Sequence, residues 1–234
     1  MSPIHSLIIH PIRRDMMNLV MTMFISPMLP EAASKPFTDD SYLFEPKMAG
    51  HRLILSRNAR EIRLWTRHQE ECTRQYPELH RVPIESGDVV LDGEVCCVNP
   101  NTGELEPSWV IERLKLNKTR RIDAYAARRP VHFAVWDILF YKERDLRTLP
   151  LVKRRSILES VLEANDRFVI VPQTEGSASG LLNGWKHKAV NGIVAKKMDS
   201  PYVSRRSHDW LRIAMDDRTE EPDAGVNVAA SPLS

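Results

Sequence analysis

One run, Val89-Val90-Leu91-Asp92-Gly93-Glu94-Val95-Cys96-Cys97-Val98, constrains the fold of this chain more than any other. It is continuously apolar except for its centre, and it reads as a strand in the interior. Carboxylates inside such a strand are costly to bury unless they bind something. Gly93 between them marks a bulge or a ligand that approaches the backbone. A hairpin turn is the alternative, but Val95 to Val98 continue the strand without turn residues. A second apolar run, 131–141, contains Trp136-Asp137 and reads as another central strand. A tryptophan in such a strand is either plain core or a flat surface for a ligand to stack on.

A different kind of signal stands at Glu45-Pro46-Lys47-Met48-Ala49-Gly50-His51-Arg52. Lys47 is flanked by apolar residues, with a carboxylate two positions before it. Leu53-Ile54-Leu55 then read as a strand. A lysine attacks as a nucleophile only when its amine is deprotonated, which burial beside other cations favours. Arg52 could supply the cation, and Gly50 lets the backbone come close to a ligand. The bland alternative is a surface lysine ahead of a strand.

The 234 residues suffice for one large domain or two small ones, and 42% hydrophobic with 27% charged residues is an ordinary globular balance. Cys72, Cys96 and Cys97 are odd in number, with two adjacent, which suggests neither a disulfide framework nor a zinc site. A reducing, cytoplasmic setting is expected. No apolar run approaches the roughly 20 residues of a membrane span, and the first 20 residues make a poor signal peptide. The net charge is only +2. Basic residues nonetheless cluster at 115–121, 128–129, 153–155, 186–188 and 205–206. They are either a phosphate-tracking surface or a set of solvated helix ends.

Along the chain, 30–40 reads as loop. Residues 53–56 and 62–66 form a hairpin around Arg57-Asn58-Ala59-Arg60, with Asn58 available for a positive φ. Residues 70–79 have helical spacing. Helices are expected at about 108–116, 151–163 and 181–187, and a short strand at 168–171. After Met215 the composition turns acidic and then Gly-, Ala- and Ser-rich, as in a disordered tail.

Taken together and in this order, these segments resemble the adenylation domain of ATP-dependent DNA ligases of the short bacterial and end-joining kind. The resemblance covers 23–213, leaving 1–22 as an ill-defined extension, with Met23 a candidate natural start or the extension a genuine amphipathic arm, and 214–234 as the tail. The family patterns are Glu-x-Lys-x-Asp-Gly-x-Arg around Lys47, Asp-Gly-Glu at 92–94, an aromatic before Asp137, Glu-Gly-Ile-Val-x-Lys ending at Lys196, and Trp-x-Lys-x-Lys from Trp210. Four positions depart from them: Ala49 replaces an aspartate, Asn191 a glutamate, and Arg212 and Ala214 stand where two lysines are usual.

The resemblance implies an α+β nucleotidyltransferase fold, with antiparallel sheets enclosing an ATP pocket and no C-terminal OB domain. It implies that Lys47 takes AMP from ATP as a phosphoamide, with magnesium or manganese, and that AMP passes to nicked double-stranded DNA in repair or recombination. Glu45 would contact the adenine side, Arg52 and Arg67 would orient sugar and phosphate, and Glu94 would touch ribose or metal. Trp136 would stack on the base, and Lys196 and Arg212 would meet phosphate. A separate DNA-binding or end-joining protein is a further candidate partner. These departures fall on helper groups, so activity is expected to be weakened. The alternative is a catalytically silent ligase-like remnant that binds nucleotide or DNA without joining ends.

Overall fold

A computed structural model describes residues 24–177 and 192–214. The expected extension, the 181–187 helix, Asn191, the 186–188 basic cluster and the tail beyond 214 lie outside the described residues. In chain order the elements are β1 (Leu29–Ala32), β2 (Thr38–Pro46), β3 (His51–Arg57), β4 (Ile62–Thr66), β5 (Val89–Cys97), α1 (Pro107–Leu114), α2 (Thr119–Arg128) and β6 (Val131–Tyr141). They continue with β7 (Arg144–Asp145), α3 (Leu151–Val161), β8 (Phe168–Ile170), β9 (Thr174–Ser177), β10 (Gly192–Lys197) and β11 (Arg206–Ala214).

The strands form two sheets. One has the order β4-β3-β5-β6-β7, with β8 also paired to β6; the other has the order β1-β11-β10-β2-β9. Pairing is antiparallel except for β1 with β11 and β6 with β8. The first sheet is buried on both faces, which is why β5 and β6 are continuously apolar. Leu53, Leu55, Leu91, Val95 and Phe133 point to one core together with Val110 of α1 and Leu158 of α3. Ile54, Val90, Cys96, Ala134 and Trp136 point the other way and meet Trp210 of the second sheet. That alternation is the period of two of an extended chain.

Several expectations change. The 70–79 helix is absent: Thr73–Gln75 and Pro77–Leu79 are short 3-10 turns. Pro77 cannot sit inside an α-helix, and the Cys72 N–H hooks back to the Leu64 carbonyl instead. The 30–40 loop contains β1 and the start of β2, because β11, far along the chain, supplies the partner strand of β1. Asn58 is not among the residues with positive φ. Its side-chain oxygen closes the turn by accepting the N–H groups of Arg60 and Glu61. The 153–155 cluster is not a surface patch: Arg154 and Arg155 are 0% and 2% exposed. Arg154 pairs with Asp137 at 2.8 Å, and Arg155 donates to the carbonyls of Trp136 and Val171. Both lock α3 under the strands.

Candidate active site

Lys47 lies where the chain leaves β2 in one sheet and enters β3 in the other. Its backbone N–H donates to the Gly192 carbonyl at 2.9 Å, which ties this crossing to the start of β10. The glycines permit the approach. A Cβ on Gly50 would run into the Val95 carbonyl, and one on Gly192 would stand 2.7 Å from the Ile213 oxygen and 3.5 Å from Lys47 Cδ. The Lys47 stem therefore lies across Gly192, at the mouth between the sheets.

The walls of the cleft come from strand alternation. On the second sheet, Val194 is opposite both Glu45 and Arg212, and Lys196 is opposite both Leu43 and Trp210. On the first, Arg52 is opposite Glu94. Trp136 is the extra residue of a bulge: Asp92 pairs with Asp137 and Gly93 with Val135, which leaves Trp136 without an opposite number. Bulges of this kind re-aim a side chain. The glycine at 93 had suggested a bulge in β5; the extra residue is on β6 instead, and Gly93 lets the Ala134 carbonyl come close.

Two buried ion pairs face each other across the cleft. Arg52 donates to both Asp92 oxygens at 2.6 Å and to the Met28 carbonyl at 3.1 Å. The Tyr202 hydroxyl donates to Asp92 at 2.8 Å and accepts the Met28 N–H at 3.0 Å. Burial alone would lower the Arg52 pKa, but Asp92 outweighs it and the guanidinium is held charged. The cation expected beside Lys47 is thus committed to Asp92. On the other side Lys196 Nζ is 2.6 Å from Glu45 Oε2, with both groups almost fully buried. Burial pushes the Lys196 pKa down, against the pull of Glu45.

Trp136 joins the two pairs. The Arg52 guanidinium lies 4.4 Å and Lys196 Nζ 4.9 Å from its ring centre, and Lys196 is also 4.3 Å from the ring centre of Trp210. The indole N–H groups of Trp136 and Trp210 and the Glu45 Oε1 atom are buried without a hydrogen-bond partner. Arg155 Nη1 is 3.7 Å from that oxygen.

The remaining candidates take the following places. Glu94 and Arg212 are half-buried on opposite walls. Arg67 follows β4 at the edge of its sheet and donates to His68 Nε2 at 3.0 Å. Residues the sequence reading did not assign are Asp92, Tyr202, Trp210 and Arg155. Asp92 could have been found, since a carboxylate inside an apolar strand requires a cation. Tyr202 and Met28 are 174 positions apart and left no local signal. Among the described residues no group of three or more His, Cys, Asp or Glu could hold a metal ion, and no helix is long and apolar enough to cross a membrane.

Residues 27–213, which include both sheets and every group named above apart from the chain's ends, match the model of the ATP dependent DNA ligase domain. The chain belongs to the ATP-dependent DNA ligase family. This ligase domain is 36% identical over 199 residues to the SPbeta prophage-derived DNA ligase-like protein LigB of Bacillus subtilis, covering 85% of this chain and 70% of that protein. It is 32% identical over 180 residues to the DNA ligase of Thermoplasma volcanium, covering 74% of this chain and 30% of that protein. Among solved structures it superposes on mycobacterial DNA ligase D complexed with ATP and MES, with a TM-score of 0.65 at 21% identity, over 82% of this chain and 60% of that one. The ligase domain of Mycobacterium tuberculosis LigD gives 0.65 at 22%. At such identities the likeness carries the nucleotidyltransferase fold alone.

Proposed function

We propose that this ligase domain carries out lysine adenylation: Lys47 Nζ attacks the α-phosphate of ATP, the bond to pyrophosphate breaks, and a lysine-AMP phosphoamide forms. AMP then passes to a 5′-phosphate of nicked double-stranded DNA, and the neighbouring 3′-hydroxyl displaces it. Repair or recombination in the cytoplasm is the setting this suits. The observation that carries the reading is the placement of Lys47 at the crossing between the sheets, backed by Gly192, in the fold that encloses Trp136, Lys196 and Trp210. Family membership and the likeness to a ligase complexed with ATP support it.

The slot suits a nucleotide. Two indole N–H groups and the Glu45 Oε1 atom are buried near Lys196 without hydrogen-bond partners, which fits a planar base that has both kinds of group on its edge. Trp136 offers the stacking surface and Glu45 the acceptor. Arg52 and Arg67 orient sugar and phosphate. Lys196 and Arg212, on adjacent strands, neutralise phosphate charge. Such chemistry is mostly positioning and charge stabilisation. Magnesium comes with the substrate phosphates and needs only one or two protein carboxylates; Glu94 would hold it, and it would supply charge neutralisation at the phosphates.

A silent, nucleotide-binding domain is the second reading. Ala49 supplies no carboxylate, and Lys196 with its Glu45 partner already sits against Trp136 and Trp210. Incubation with α-labelled ATP, followed by a denaturing gel and an acid-lability test, separates the two. We expect slow labelling, faster with manganese, and none in Lys47→Ala. Losing one stabilising group at such a site costs about 10²–10³ in rate. Ala49→Asp combined with Asn191→Glu should therefore raise labelling by about 10²-fold or more. No label in either form, with the fold intact, removes the adenylation reading.

A further inference from the structure

We propose that the helical pair α1–α2 is a docking surface for the phosphate backbone of duplex DNA, separate from the nucleotide cleft. The choice of partner rests on the ligase reading above.

Between Glu112 and Arg129 seven basic residues accompany two acidic ones, in a chain whose net charge is only +2. Their side chains divide into three groups. Arg113 is fully buried and forms a two-pronged pair with Glu78, which pins α1 to the 3-10 turns. Arg129 is taken by the rings of Trp109 and Tyr125, at 4.1 Å and 5.2 Å, and by Glu112, which Tyr125 also contacts. That anchoring cancels one of the two acidic charges. Lys115, Lys118, Arg120, Arg121 and Arg128 remain exposed, and none has a carboxylate partner among the described residues. A run of solvated helix ends is the ordinary reading of such residues, but here they share one anchored platform.

The spacing on α2 suits a backbone. Arg121, Ala124 and Arg128 fall at i, i+3 and i+7, so they share a face, and all three are exposed. The two guanidiniums rise from points about 10 Å apart along the helix. That is close to the roughly 12 Å width of the major groove, across which two phosphate rows face each other. Ala124 between them lets the helix come near. Arginine is the side chain suited to phosphate.

The topology places this platform at the working end of the sheet. α1 and α2 connect the end of β5 to the start of β6, and Cys97 there pairs with Val131. Two residues earlier, Val95 pairs with His51, the first residue of β3 after the Lys47 crossing. α1 packs on the outer face, where Val110 shares a core with Leu91 and Val95, and α2 rests against the 3-10 turns, so they leave the cleft open. A duplex held here lies beside the Lys47 end without entering the nucleotide slot.

The test is the affinity of the full chain for a nicked duplex, by fluorescence anisotropy across a range of salt. Arg120→Gln, Arg121→Gln and Arg128→Gln together keep helix-forming residues and remove three charges. Arg205→Gln with Arg206→Gln is the comparison, because these are an exposed basic pair elsewhere among the described residues. The expected result is a loss of about tenfold or more in the triple variant, with the slope of log affinity against log salt falling by about 2 to 3. Labelling of Lys47 should be unchanged, and unchanged circular dichroism confirms that the helices persist. Equal affinity in the triple variant and the natural chain overturns the proposal, as does no duplex binding by the natural chain. A loss confined to the 205–206 variant, or a loss for single-stranded RNA but not duplex DNA, also overturns it. Absence of Lys47 labelling with α2-dependent DNA binding would instead overturn the adenylation reading and leave this surface standing.

Discussion

Asp92 is the residue on which the geometry of Arg52 depends. It is 0% exposed, takes both donor arms of the guanidinium, and is itself held by Tyr202. Removing one partner of a buried pair leaves an uncompensated charge, at a cost of about 3–5 kcal/mol. Asp92→Asn should lose stability on that scale in urea unfolding. Tyr202→Phe, which removes a hydroxyl that donates to a charged carboxylate, should lose less, about 1.5–3 kcal/mol, and weaken nucleotide binding while Lys47 stays in place. His51 gives a pH signature. Desolvation lowers its pKa to about 4 from the ordinary 6.5, and the charges of Arg67 and His68 act in the same direction. Its Nδ1 is enclosed without a partner. The unfolded chain therefore binds a proton between pH 6.5 and 4 that the folded one refuses. Stability is fully present above 6.5 and falls as pH drops toward 4, by about 3 kcal/mol over that window. His51→Gln should flatten this part of the stability–pH curve; an unchanged curve would show that other groups carry it.

At the scale of elements, backbone contacts set by two glycines hold the site together. The Lys47 crossing lies against β5 because Gly50 has no Cβ to strike the Val95 carbonyl, and β5 lies against the β6 bulge because Gly93 has none to strike Ala134. Gly50→Ala and Gly93→Ala should each destabilise by about 1–3 kcal/mol through forced backbone shifts. Thermal unfolding measures the loss. The Gly93 change should also disturb Trp136 fluorescence, since the bulge residue moves with the strand. Helix α3 shows why composition misleads at this scale. Its run Lys153-Arg154-Arg155 reads as a charged surface, yet two of the three side chains are interior, each satisfying strand groups that would otherwise be orphaned.

At the scale of the whole molecule, the two sheets meet through Trp136, Lys196 and Trp210. Lys196 with Glu45 is the buried ionic contact at that junction. Glu45→Gln and Lys196→Met should each cost more than half of what one expects from losing the pair, while the double change should cost less than their sum. That non-additivity is the mark of a coupled buried pair, and additive losses would show that the two groups do not act together. Because Trp136 and Trp210 flank Lys196 at this junction, bound ATP should quench intrinsic fluorescence at millimolar concentration or below. Calorimetry showing no binding in that range would remove the nucleotide reading.

The residues by themselves determined the central strands, the hairpin of β3 and β4, helices α1 and α3 within a few positions, and the order of the segments that carry the family likeness. These are local properties: a period of two, or a helical spacing, is complete within a dozen residues. Lys47, Glu45, Arg52, Glu94, Trp136 and Lys196 could be singled out as candidates for the same reason, each lying in a short pattern. Only the tertiary structure decided that Asp92 belongs to Arg52 and Tyr202, that Glu45 belongs to Lys196, that β6 and not β5 bulges, and that Arg154 and Arg155 are interior. Those outcomes depend on partners brought from distant parts of the chain, as Met28 and Tyr202 are. In a protein interior a charged or polar group takes whichever partner the packing leaves within hydrogen-bond reach, and no local pattern records which that will be.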